Sequence, residues 1–181
     1  SGEAIARHLL YTRAYVAKHF KTAPEILWEP DTFGHPATIP DIMADAGIRN
    51  YFFIRCGRQL PLFRWTGPAG GRVHALDGGN YNAPLTPAQV VTRLLKLYDQ
   101  TGCRRLFFSV GVGDHGGGPT RDDIAAKYDM EDRPALPRLV FSTTADYFRA
   151  ARPDMRRAPV LQSELNTVFE GCYTSHGDIK R

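Results

Sequence analysis

Short apolar runs alternate along this 181-residue chain with longer segments of helical spacing, and that alternation most constrains what the chain can fold into. From Glu3 to Phe20, Ile5, Leu9, Val16 and Phe20 recur at near-helical intervals with no internal Gly or Pro, which predicts an amphipathic helix. Glu25 to Trp28 reads as a strand. Thr38 then stands as an N-cap, Pro40 lies near the first turn, Ile42 and Met43 face inward, and Gly47 terminates a helix. Ile48 to Ile54 is a near-continuous apolar run, the pattern of a strand covered on both faces. Farther on, Thr86 and Pro87 open a helix with Val90, Val91, Leu94, Leu95 and Tyr98 on one face, and Gly102 stops it. A strand at Arg105 to Val110, a helix from Arg121, a strand at Leu139 to Phe141, a helix from Thr144 to Ala151 and a strand near Pro159 to Leu161 continue the series.

Strand, loop and helix in series predict an α/β fold with a mainly parallel sheet and helices outside, either open or closed into a barrel. Leu62 to Trp65 and Arg72 to Leu76 flank Gly67-Pro68-Ala69-Gly70-Gly71 and read as a hairpin excursion outside this rhythm. No internal domain boundary is visible, so residues 1–181 are expected to form one domain. Loops that follow strand C-termini gather on one face, where sites are built. Asp31 and Asp114 both lie on such loops, which makes them neighbours by architecture.

Composition narrows the function classes. A hydrophobic share of 43% and a charged share of 23% are those of an ordinary folded protein. The net charge of +4 comes from scattered Lys and Arg, densest at Arg55 to Arg58, Arg104-Arg105 and Arg152 to Arg157, with no basic stripe interleaved with aromatics; nucleic acid is not an expected partner. The three cysteines, Cys56, Cys103 and Cys172, are far apart and form no CxxC pair, which argues against a disulfide scaffold or thiolate zinc site and favours a reducing, cytoplasmic compartment. No apolar run of about 18 residues and no secretory leader is present, so no membrane association is expected. The chain lacks an initiator Met and ends at Lys180-Arg181 where a helical pattern begins, as expected of an internal piece of a longer protein.

Two stretches carry chemistry. In Trp28-Glu29-Pro30-Asp31-Thr32-Phe33-Gly34-His35-Pro36, Pro30 withholds an N–H and should end the strand, turning the next side chain out of the sheet. Pro-Asp-x-x-Gly is also ordinary turn chemistry, with the carboxylate bonding its own backbone. Gly111 to Thr120 places five glycines around Asp114, a costly freedom unless the chain passes close to something. A phosphate cradle, a cation loop and a catalytic acid all compete for it. The phosphate reading is weakened because Pro119-Thr120 replaces the Lys-Ser/Thr of a P-loop. Two carboxylates on neighbouring loops suit glycoside hydrolysis, and equally half of a metal site. His35, His115 and His176 sit in these loops, where a lone His more often caps or is solvated than binds metal. Trp28, Phe33 and Trp65 could form a sugar-stacking wall or belong to the core, and Cys172 reads as a small buried hydrophobe.

The residues resemble a known family. Trp28 to His35, with Ile39-Pro40 and Ala46-Gly47-Ile48 downstream, resembles the nucleophile segment of glycoside hydrolase family 38, the α-mannosidases. Gly113-Asp114-His115-Gly116-Gly117-Gly118-Pro119-Thr120 is similar to the family's Gly-Asp-Gly-rich loop. Gly171-Cys172-Tyr173-Thr174-Ser175-His176, followed by Ile179-Lys180-Arg181, is similar to its G-x-Y-T-[ST] segment, and Ser1-Gly2-Glu3 with Arg7 resembles its opening. The spelling is nearest that of the bacterial and cytosolic branch.

The resemblance implies an incomplete (β/α) barrel-like catalytic domain of a retaining, exo-acting α-mannosidase that binds one divalent cation, normally zinc. By position, Asp31 is the implied nucleophile and a metal ligand, and Asp114 the candidate acid/base. Phe33, Arg55 and Trp65 are implied substrate-pocket residues, and the partner is a carbohydrate. The alternative is a sugar- or phosphate-binding module on the same scaffold without catalysis. The family's early His-x-Asp pair and later metal-binding His are not found in this sequence. The chain alone is therefore expected to bind zinc poorly and hydrolyse little, with strand edges left open.

Overall fold

The computed structural model describes residues 2–114, 116–169 and 177–178. Two compact units are distinguished, one made of the described residues through Asp77 and from Val160 onward, the other of Gly78–Pro159.

The first unit holds a five-stranded sheet in the order β1-β2-β4-β3-β5. Its strands are β1 (Ile26–Glu29), β2 (Asn50–Phe53), β3 (Leu62–Thr66), β4 (Arg72–Asp77) and β5 (Val160–Leu161). β1 pairs with β2, β2 with β4 and β3 with β5 in parallel, while β3 and β4 run antiparallel. The sheet is thus mainly parallel, as expected, but the hairpin is no excursion. β4 sits in the middle of the sheet. The misplacement has a simple cause: a turn sequence shows that two strands are consecutive, whereas the parallel partner of β4 lies some twenty residues earlier and leaves no local trace.

β2 is buried on both faces. Tyr51 and Phe53 join Phe63, Trp65, Val73 and Ala75 in one core cluster, completed by Ile39, Met43 and Ile48 from the α2 region and Leu9 from α1. Phe52, also wholly buried, points to the opposite face and stacks on Trp28 at 4.1 Å between centroids. Ala75 is opposite both Tyr51 and Phe63, and its small side chain leaves room for the rings on either side.

α1 (Gly2–Phe20) docks through a narrow stripe in which only Leu9 is buried. α2 (Ile39–Asp45) buries Ile39, Pro40 and Met43, and Gly47, at φ +75, reverses the chain into β2. Thr38 holds the N-cap position but makes no side-chain cap bond. Asp41 instead reaches the hairpin turn, where its carboxylate accepts from Ala69 N at 3.1 Å and Gly71 N at 2.7 Å.

The second unit is built on three helices, each with the capping residue its sequence announces. α3 (Pro87–Thr101) opens on Thr86, whose hydroxyl accepts from Gln89 N, and ends at Gly102 with φ 71. Its buried stripe is Val90, Leu97 and Thr101; Leu95 and Tyr98 are exposed, contrary to the expected face. α4 (Arg121–Glu131) begins with a Thr120–Asp123 capping box. α5 (Thr144–Met155) is capped by Thr143 and runs past Pro153 to Met155, longer than expected. The strands expected at Arg105 to Val110 and Leu139 to Phe141 are absent: neither segment pairs with a strand. Side chains pack on part of their apolar surface, while Val140 and Phe141 stay exposed. Phe107 meets Tyr147 edge-on at 5.6 Å, Arg93 lies 4.5 Å over the Phe108 ring, and Lys127 covers Phe141.

Asp41→Ala removes the acceptor of two turn amides. It is expected to lower the unfolding free energy by about 1.5–3 kcal/mol, the range for hydrogen bonds to a charged group. Urea denaturation reads this directly, and an unchanged midpoint would show that α2 does not hold the hairpin turn.

Candidate active site

The parallel register explains how residues distant in sequence meet at the end of the sheet. Glu29 is opposite Phe53, so residues two steps beyond each strand emerge together: Asp31 and Arg55. Pro30 ends β1, and the turn it starts presents Asp31 with its side chain about two-thirds exposed. Arg55 Nε donates to Asp31 Oδ1. The same guanidinium lies 5.7 Å over the ring of Phe33, which meets Phe169 edge-on at 5.1 Å. Three of the expected site residues, Asp31, Phe33 and Arg55, therefore form one cluster. At this exposure the ion pair adds at most about 1 kcal/mol of stability; its consequence is to orient the carboxylate.

Beneath the loop runs the segment 163–167. Gly34 has φ +139, and a Cβ there would stand 2.2 Å from Leu165 O. Leu165 N in turn donates to His35 O at 3.0 Å. Arg58 binds Glu164 O through two nitrogens, and Thr167 Oγ1 donates to Cys56 O at 3.3 Å. Trp65, expected in the pocket, is wholly buried and donates from Nε1 to Ser163 O at 2.8 Å. Its ring belongs to the core and supports this segment, so it offers no face to a ligand. Trp28 is the more open of the two indoles, about half exposed.

Burial shifts three groups in this unit, the Cys56 thiol being pushed up. The Glu29 carboxyl is pushed above its ordinary range, and the His35 imidazole is held below its own. Among the described residues His35 Nε2 has no hydrogen-bond partner. Glu29 is a half-buried carboxyl that the sequence reading passed over, since one acid within a short strand carries no periodic signal.

In the second unit, Asp114 lies on a loop closed on itself by an antiparallel bridge between Val112 and Gly118. Gly111, at φ +139, passes so close to Gly118 that a Cβ would lie 2.5 Å from its carbonyl carbon. The amides of Gly116 and Gly117 donate to Gly113 O and Val112 O. Asp123, its carboxyl held below the usual range by Thr120, already occupies the N-terminus of α4. A phosphate cradle would need those donors turned outward. Asn82 Nδ2 donates to Asp114 Oδ2 at 2.8 Å. Asn82 also lines a cleft of about 420 Å³ whose wall mixes the polar Asn80, Gln89, Thr92 and Arg93 with Ala83, Pro84 and Ala88.

Zinc requires three or four protein ligands. Among the described residues no three His, Cys, Asp or Glu side chains converge as a metal site. Asp31 offers one carboxylate, already paired with Arg55. These residues alone do not fit the cation. His115, His176, Cys172 and the 171–176 segment lie outside the described residues.

An acid presented by a turn at the C-terminal end of a parallel strand, beside an arginine and an aromatic ring, lies where α/β enzymes build their sites. The model for the N-terminal domain of glycosyl hydrolases family 38 matches residues 1–169, and the chain belongs to that family. Over its whole length it is 30% identical to human alpha-mannosidase 2C1 and 29% identical to alpha-mannosidase G of Dictyostelium discoideum, spanning 18% of each. It is 27% identical to the alpha-mannosidase of Saccharomyces cerevisiae, of which it also spans 18%. The fold matches the crystal structure of an alpha-mannosidase from Enterococcus faecalis V583 with a TM-score of 0.65 at 20% identity, covering 92% of this chain and 20% of that one.

Two outcomes test the local geometry. Gly34→Ala must strain a left-handed backbone and displace the 165–166 segment, and is expected to cost about 2–5 kcal/mol. His35 carries a depressed pKa, so the folded state binds its proton less readily than the unfolded chain. Its contribution to stability is present above pH 6.5 and lost as pH falls toward the folded value. His35→Gln should therefore lessen the loss of stability on acidification from pH 7 to 5, read from denaturation midpoints; an equal loss would exclude His35 as its source.

Proposed function

We propose that this chain carries the nucleophile of a retaining α-mannosidase that removes terminal α-mannosyl residues from oligosaccharides or glycoconjugates. The observation that carries the reading is the Asp31–Arg55–Phe33 cluster at adjacent strand ends, in a chain of glycosyl hydrolases family 38. Asp31 Oδ attacks the anomeric carbon, and the glycosidic bond breaks to leave a mannosyl-enzyme ester. Asp114 gives its proton to the departing oxygen, then removes one from the water that cleaves the ester. Arg55 aims the nucleophile, and Phe33 supplies an apolar face for the sugar ring.

Metal dependence belongs to the same proposal. Asp31 is the ligand proposed among the described residues for a divalent cation such as zinc, with the remaining ligands coming from outside this segment. A cytoplasmic location is supported by Cys56 and Cys103, both buried thiols without a disulfide. No helix among the described residues is long and apolar enough to cross a membrane.

The phosphate-binding alternative gains no support from the glycine-rich loop, where the amides of Gly116 and Gly117 donate to loop carbonyls and those of Gly111, Gly113 and Asp114 to Ala83 and Asn82. In the complete polypeptide that carries this segment, Asp31→Asn is expected to lower turnover of an activated aryl α-mannoside by about 10³-fold or more, with an unchanged circular dichroism spectrum. Turnover within tenfold of the parent would refute the assignment. Exhaustive chelation should likewise remove activity, and zinc should restore it; indifference to chelation would remove the metal from the proposal.

A further inference from the structure

We propose that Asn82 is the positioning residue of the candidate acid/base. The inference rests on the role given to Asp114 above. Asn82 uses both ends of its amide on a single loop. Nδ2 donates to Asp114 Oδ2 at 2.8 Å, while Oδ1 accepts from Asp114 N at 3.2 Å and from Gly113 N. One side chain thus fixes the backbone before the acid and one oxygen of the acid itself.

Asn82 is itself held. Its own N–H donates to Asn80 Oδ1 at 2.8 Å, and the next residue, Ala83, accepts from Gly111 N at the start of the loop. The Tyr81 ring packs where a Cβ on Gly113 would lie, 2.2 Å from Cδ2, so Gly113 admits no larger residue without displacing the ring. Residues 80–83 therefore form a cradle for residues 111–114. The loop is glycine-rich and Asp114 is exposed; without the amide, the carboxyl would sample many orientations.

The chemistry asks for such an arrangement. A carboxyl that alternately gives and takes a proton must aim one oxygen at the reacting atoms and keep the other engaged. Asn82 engages Oδ2 and leaves Oδ1 as the oxygen for proton transfer. An amide suits this role in both protonation states because it neither titrates nor adds charge. Asn82 also lines the cleft with Asn80, Gln89, Thr92 and Arg93 among apolar neighbours.

The test uses the complete polypeptide and two leaving groups. Proton donation matters for a poor leaving group, such as the alcohol of a mannobiose, and little for 2,4-dinitrophenolate. Asn82→Ala is expected to lower kcat/KM for the mannobiose by about 10–10²-fold, toward the general-acid range, and to change kcat/KM for the dinitrophenyl mannoside less than threefold. Asn82→Asp keeps an acceptor for the Gly113 and Asp114 amides but sets a second carboxyl against Oδ2, where the pair shares one proton and withholds it from the leaving oxygen, so it should show the same split. Asp114→Ala, assayed beside them, should show a larger split and regain dinitrophenyl mannoside turnover with azide, which needs no base. If Asp114→Ala splits the substrates while Asn82→Asp matches the parent on both, the positioning role is overturned. If Asp114→Ala shows no split, the acid/base assignment fails and the proposal fails with it. An equal loss on both substrates in a variant that melts normally would make Asn82 structural only.

Discussion

The parallel pairing of β1 with β2, in the register that sets Glu29 against Phe53, is the constraint on which the Asp31 loop depends. That register is chosen by the core. Tyr51 and Phe53 must face the cluster with Trp65, and Phe52 must face Trp28; a slip of one residue would exchange the two sets and leave rings of the wrong size against Ala75. With the register fixed, the two strands end level. Pro30 then ends one ladder by lacking a donor, and the chain beyond β2 carries Arg55 out beside it. Packing of aromatic rings some residues away thus decides where a carboxylate and a guanidinium meet.

The second acid is held by different means. No ladder reaches Asp114, and the loop around it bonds mainly to itself. Its orientation comes from a side-chain amide 32 residues earlier, in a cradle tied by Asn80. The two supports differ in how they fail. Disturbing the register would require repacking a buried core. Disturbing the cradle requires the loss of only two or three exposed hydrogen bonds, so geometry at Asp114 is the more easily altered by substitution.

What was legible in the sequence follows the same division. Thr86 with Pro87 marked a helix start because a cap is a local contract between residues three apart, and the Thr120–Asp123 box that opens α4 is of the same local kind. Asp31 was legible for the same reason: Pro30 acts on its immediate neighbour. The run Arg105 to Val110 looked like a strand because it is apolar, but apolarity specifies burial and not a hydrogen-bonding partner. Trp65 looked like a pocket wall because aromatics at a strand end serve either purpose, and only the position of Ser163, 98 residues away, decides between them. The role of Asn82 left no trace, since a lone Asn among Asn80, Tyr81 and Pro84 reads as turn chemistry.

The glycine-rich loop carries the last step. Five glycines around an acid admit a cradle for a bound anion or a tight enclosure of the acid itself, and the two differ in where the amides point. Gly113 and Asp114 donate to Asn82, Gly116 and Gly117 donate to carbonyls of their own loop, and Val112 donates to Gly118 O. Thr120 N donates to Asp123, whose carboxylate already complements the start of α4. With these donors turned inward, the glycines serve close backbone approaches such as Gly111 against Gly118. The group the loop presents is then the carboxyl of Asp114 and not a ring of outward-facing amides.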